Sequence, residues 1–251
     1  MKWKILQHPE APEHPFYWCS IQTTFASSRL LLCDGSGSWG YGIETAERVF
    51  ETLTQSPTWQ ENTSFQALTQ QLEQTAIHAA KEVQKERGSE EPHAFDDTIF
   101  GALLLQQVHN TLYIARAGAH EVTLLRANKI IHRTHTPILG ERLIRELGDD
   151  TITSNNPTFF VYAGPLLGKD LETTDCLHVE EPWTLQDGDE LIISSFRYRN
   201  REQQTSERPT QAASHDYLNK YSDFIEPLWH LKCIPADSVN RQQHNLEDIL
   251  F

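Results

Sequence analysis

Leu31-Leu32-Cys33-Asp34-Gly35-Ser36-Gly37-Ser38 is the stretch on which the reading of this chain turns. An apolar run ends in Asp-Gly, small residues follow, and an amphipathic stretch begins a few positions later. Such a turn sets one carboxylate and several free backbone groups at the rim of a sheet, where metals and phosphates bind. Asp-Gly is also ordinary turn chemistry, so the local sequence alone does not separate a site from a corner.

Periodicity organises the chain on either side. Phe16 to Thr23 and Arg29 to Cys33 predict two short strands ahead of the turn. After it, Ile43, Ala46, Val49, Phe50 and Leu53 mark one face of a helix, and Phe65, Leu68, Leu72, Ala76, Ala79 and Val83 mark a longer one. Thr63 with Gln66 reads as a capping box for the second helix, and Gly88 as its C-terminal stop. Thr98 to Gln107, Asn110 to Arg116, Glu121 to Arg126 and Lys129 to Thr134 then read as an antiparallel meander, with tight turns at His109-Asn110 and Ala127-Asn128. Thr136 to Pro157 is polar and irregular, an expected insertion or linker before the strand-like Thr158 to Ala163. The turn Gln186-Asp187-Gly188-Asp189 feeds an apolar strand from Glu190 to Ser195, and Arg197 to Ala212 is a polar segment without apolar periodicity. A helix from Ser214 to His230 and a strand from Asn245 to Phe251 are expected to close the chain. Sheets covered by helices in one α+β domain spanning 1–251 follow from this order.

Composition narrows the function classes. With 251 residues and 38% hydrophobic content, the chain has enough material for a full core. It carries no apolar run long enough to span a bilayer and no signal-like N-terminus, so a soluble cytoplasmic protein without membrane contact is expected. A formal charge of -14 argues against nucleic acid or anionic membrane as the main partner. Cys19, Cys33, Cys176 and Cys233 are scattered, which fits reduced thiols better than disulfides or a zinc site.

The whole order, strand, Asp-Gly turn, two helices, meander, Gln186-Asp187-Gly188-Asp189-Glu190-Leu191-Ile192-Ile193-Ser194-Ser195 and a terminal strand, resembles the metal-dependent type 2C protein phosphatases from about Phe16 to Phe251. The resemblance implies a sandwich of two antiparallel sheets flanked by helices, with the site at one edge. It places Asp34 on the aspartate that bridges two divalent metals and Gly35 on the glycine whose carbonyl helps hold one. Other positions depart from the family. Pro15 to Ser28 contains no Arg, Asp or Glu, so the family's early arginine and acidic run have no counterpart. Its Gly-Asp-Ser turn corresponds to Gly118-Ala119-His120, its Ser-Asp-Gly motif to Ser195-Phe196-Arg197, and its late Asp-Asn to His244-Asn245, with Glu247 or Asp248 nearby.

Two divalent cations about 4 Å apart repel by roughly 17 kcal/mol at an effective dielectric near 20, and only several carboxylates and phosphate offset that. One aspartate is too few, and Phe196 replaces a hard oxygen donor with an apolar ring. The expectation is a degenerate, pseudophosphatase-like member with no cofactor, acting in phospho-signalling through a protein partner such as a kinase or phosphoprotein. Two alternatives stay open. One is an active serine/threonine phosphatase with a rearranged site holding a single weakly bound Mg²⁺ or Mn²⁺ at Asp34, Gly35, His120 and His244, since a His-His-Asp set suits zinc-like chemistry too. The other is a structural subunit of a larger assembly. Arg197, Arg199 and Arg201 alternate, so an extended segment would present three guanidinium groups on one face for a phosphate or carboxylate, with Trp39 and Tyr41 as aromatic contacts beside the glycine turn. A solvated loop and aromatics covering the first helix explain the same residues. Asp96 and Asp97 fit a turn or strand edge, and Ser36, Ser38, Ser194 and Ser195 fit small-residue packing better than nucleophiles.

Overall fold

The computed structural model describes residues 2–7, 17–23, 27–35, 41–60, 63–87, 100–118, 120–135, 167, 176–196 and 225–235. Eleven strands and three helices lie within them: β1 (Lys2–Gln7), β2 (Tyr17–Thr23), β3 (Ser27–Gly35), α1 (Tyr41–Thr54), α2 (Pro57–Gln60), α3 (Phe65–Arg87), β4 (Phe100–Val108), β5 (Thr111–Ala117), β6 (His120–Arg126), β7 (Lys129–Arg133), β8 (His178–Val179), β9 (Trp183–Thr184), β10 (Glu190–Phe196) and β11 (Ile225–Ile234). The first sheet runs β1-β11-β10-β6-β7 and the second β2-β3-β4-β5-β8, with β9 also pairing β5. Every pairing of named strands is antiparallel.

The central strands β3 and β4 of the second sheet are buried on both faces, which is why they carry long apolar runs. Successive side chains of a strand point to opposite faces. On β3, Leu31 and Cys33 pack with Leu104, Ala115 and the α1 and α3 residues Val49, Phe50, Leu68 and Leu72. Leu30 and Leu32 point the other way, into a core between the sheets with Leu103, Ile114, Val122, Leu191 and Leu231. The chain passes from the second sheet to the first at Gly118, whose φ is +90°. Farther on, Ala127 and Asn128 both take positive φ (49° and 62°), as a two-residue hairpin turn between β6 and β7 requires.

Several expectations change. Lys2–Gln7 forms β1, an edge strand whose Trp3 pairs with Cys233 of β11, where no strand was expected. Ile225 to His230 is not helical but belongs to β11, because Trp229, Leu231 and Cys233 face the inter-sheet core as a period-two set. The α3 cap is Ser64, not Thr63: Ala67 N donates to Ser64 Oγ at 3.3 Å. The two-residue strands β8 and β9 were not expected either. The stretches 136–157, 158–163, 197–212, 214–224 and 245–251, together with the expected Gly88 stop, lie outside the described residues. No helix among the described residues is long and apolar enough to cross a membrane, and Cys33, Cys176 and Cys233 are free thiols.

Candidate functional site

Asp34 stands near the C-terminal end of β3, paired with Tyr17 on one side and Gly101 on the other. It continues the face of Leu30 and Leu32, so the carboxylate emerges at the end of the inter-sheet core. Three glycines allow the close packing around it. A Cβ at Gly101 would meet Asp34 Oδ1 at 2.2 Å, one at Gly118 would meet Gly101 Cα at 2.7 Å, and one at Gly35 would meet Ile43 Cγ1 at 2.4 Å and the Ile43 backbone N at 2.8 Å. The first turn of α1 therefore lies directly on Gly35, immediately beyond Asp34.

The second sheet's carboxylate meets a residue of the first. His120 opens β6, is completely buried, and directs Nε2 to within 3.6 Å of Asp34 Oδ2. Its backbone is held from behind by Arg116, whose Nη1 donates to the His120 carbonyl at 3.5 Å. Arg116 is itself buried and paired with Glu180 at 2.9 Å, and its guanidinium also reaches the His135 carbonyl.

Of the residues singled out in the sequence, the structure brings together Asp34, Gly35 and His120. Tyr41 is the first residue of α1, half-buried, and its carbonyl accepts from Thr45 Oγ1 at 2.7 Å. Trp39, Arg197, Arg199, Arg201, His244, Asp96, Asp97, Ser36, Ser38 and Ala119 lie outside the described residues, and Phe196 is described through its backbone, which pairs with Ile225. Ser194 is buried in β10. The sequence reading passed over Gly101 and the Arg116–Glu180 pair. Gly101 had a signal, since an isolated glycine inside an apolar run marks close approach of other atoms.

Among the described residues the Asp34 end brings together one carboxylate and one imidazole, and no three of His, Cys, Asp and Glu gather as a metal-holding group; that set alone does not fit a pair of hard divalent cations. Mg²⁺ demands oxygen ligands in near-ideal octahedral geometry, which one carboxylate beside a buried imidazole does not supply.

A two-sheet antiparallel sandwich with a helix layer, and a strand-ending Asp-Gly at the edge, is the architecture of the type 2C serine/threonine phosphatases. Solved structures of that class superpose on this chain. A Streptococcus agalactiae (S. agalactiae) serine/threonine phosphatase matches with a TM-score of 0.58 and 12% identity over 93% of this chain and 99% of its own. A bacterial serine phosphatase matches at 0.56 and 13% over 95% and 98%. A stage II sporulation E family protein from Thermanaerovibrio acidaminovorans matches at 0.53 and 15% over 76% and 82%. At these identities the likeness shows the fold: this chain has a type 2C phosphatase-like α+β fold. No family model matches the sequence, and no curated protein does.

Proposed function

We propose that this protein is a catalytically silent type 2C phosphatase-like module that acts in cytoplasmic phospho-signalling by binding a protein partner, a kinase or a phosphoprotein. The observation that carries the reading is the Asp34 end itself. The carboxylate has one oxygen against Gly101 and the other facing His120, with no second acidic side chain grouped beside it among the described residues. Ala119 and Phe196, at positions where the resembling enzymes hold acids, support it. So do the charge balance, which disfavours nucleic acid, and the arginines at 197, 199 and 201, which would grip a phosphate or acidic segment of the partner.

The test is hydrolysis of an aryl phosphate and a phosphopeptide with added Mn²⁺ or Mg²⁺, beside the Asp34→Ala variant. No turnover in either protein is the expected result. Turnover that disappears in the variant overturns the proposal in favour of the active reading, which the closeness of Asp34, Gly35 and His120 favours. For the partner surface, substituting Arg197, Arg199 and Arg201 together by Ala is expected to weaken capture of a phosphopeptide, and unchanged capture removes them from that role.

A further inference from the structure

We infer that His120 is a built-in occupant of the Asp34 site: its imidazole stands beside the carboxylate in the space a metal ion would need, and closes that end of the sandwich with the chain's own side chain. The inference deepens the non-catalytic reading above and rests on it. Three observations carry it. The pair joins the two sheets, Asp34 from β3 and His120 from β6, so it sits where the layers meet. His120 is completely buried while the Asp34 side chain is 16% exposed, so the imidazole lies on the inner side of the carboxylate and does not reach out to solvent. The backbone of His120 is anchored by Arg116, and Gly101 lets both side chains come close, since a Cβ there would meet Asp34 Oδ1 at 2.2 Å and His120 Cε1 at 3.1 Å.

Distances decide what this geometry permits. A Mg²⁺ or Mn²⁺ ion binds carboxylate oxygen at about 2.1 Å. Placed in line between Oδ2 and Nε2, which are 3.6 Å apart, it would lie about 1.5 Å from the imidazole nitrogen, far inside any contact distance. An ion on that side of Asp34 must therefore either take His120 as a ligand, which suits Zn²⁺ or another transition metal, or be excluded. The inference is exclusion.

Thermal melting of the full chain tests it, with Asp34→Asn, His120→Ala and the double variant, each with and without Mn²⁺ or Zn²⁺. For a chain of this size His120→Ala is expected to lower the melting temperature by about 2–4 °C, and by less than half of that when introduced into Asp34→Asn. The wild-type midpoint is expected to ignore both metals. Equal drops in the two backgrounds would show that His120 merely fills space and overturn the inference. A rise with Zn²⁺ or Mn²⁺ in the wild type that His120→Ala abolishes would make His120 a ligand, and overturn it too. If His120→Ala does not fold, His120→Gln, which keeps most of the volume and loses the imidazole, is held to the same two criteria. Turnover in the hydrolysis assay fails the silent reading, whereas the melting cycle fails this inference, so the two failures are told apart.

Discussion

Arg29 and Asp34 stand near opposite ends of β3, and their surroundings differ in kind. Arg29 is 1% exposed and donates to main-chain carbonyls: Trp59 O at 2.8 Å and Thr63 O at 2.8 Å, with Thr58 O at 3.4 Å. Gln106 of the neighbouring strand joins it on Thr63 O at 2.9 Å. Burial pulls the Arg29 guanidinium below its usual range, and the carbonyls compensate by supplying acceptors. Asp34 is matched instead by a side chain, His120, and by Gly101, whose missing Cβ makes the space. Carbonyl acceptors are available from any sequence, so the Arg29 end needs only one special residue and serves the fold by tying the α2–α3 connection to the sheet. The Asp34 end depends on the identities of several residues at once, which is how a site differs from a strut.

The largest effect that would test this contrast is Arg29→Ala. It strands the buried Trp59 carbonyl, takes a donor from those of Thr58 and Thr63, and is expected to cost about 3–5 kcal/mol, read as a lower denaturant midpoint at unchanged slope. Asp34→Ala should cost less. A larger loss at Asp34 than at Arg29 would break the comparison, because the site end would then be holding the fold. Next is Gly118→Ala, which forces a Cβ onto Gly101 at φ +90° and is expected to cost about 1–3 kcal/mol. Gly188, also at positive φ (+84°) but with open space around it, is the control. The Gly118 variant losing more than the Gly188 variant would show that crowding at the Asp34 end, and not backbone conformation alone, sets the requirement.

A third test moves to the far end of the first sheet, opposite His120, where Cys233 N donates to Asp189 O at 2.7 Å. Burial first, then the charges of Asp189 and Asp187, push the Cys233 thiol from 9.0 up to about 12. The neutral thiol is the stable folded form, so its contribution is complete below about pH 9 and is lost as pH rises toward 12, when only the unfolded chain ionises freely. At pH 10 the loss is on the order of 1 kcal/mol. Melting temperatures between pH 8 and 10 should therefore fall less steeply in Cys233→Ala than in the wild type, and parallel slopes would refute the assignment.

What the sequence disclosed follows the same physics. The Leu30–Cys33 run, the α1 and α3 faces and the meander were legible because elements buried on one or both faces leave long apolar signals, and Ala127-Asn128 because a tight hairpin narrows residue choice. β11 was misread because Ile225, Leu228 and Trp229 fall at helical spacing, and only pairing with β1 and β10 selects the period-two set Trp229, Leu231, Cys233. The Lys-Trp-Lys-Ile alternation of β1 was present but too short to stand out from a polar terminus. The nearness of Asp34 and His120 joins residues of different sheets; no local pattern encodes that, and it came only from the family resemblance. Gly101 was visible as an odd glycine in an apolar run, without any hint that the atom it spares is Asp34 Oδ1.

The smallest expected effect concerns the residues that carry the Arg29 end into α3. Thr63 contributes its carbonyl, which accepts from Arg29 and Gln106, while the neighbouring Ser64 hydroxyl accepts from Ala67 N and caps the helix. Removing a capping hydroxyl costs about 1 kcal/mol. Ser64→Ala should therefore lower stability by about that amount, and Thr63→Ala, which leaves its carbonyl in place, by less, both read from denaturant midpoints. If Thr63→Ala is the more damaging of the two, the capping box expected from the sequence was right after all. The link from Arg29 to the helix would then run through the Thr63 side chain as well as its backbone, and the Arg29 end would no longer be the one built mainly on main-chain partners.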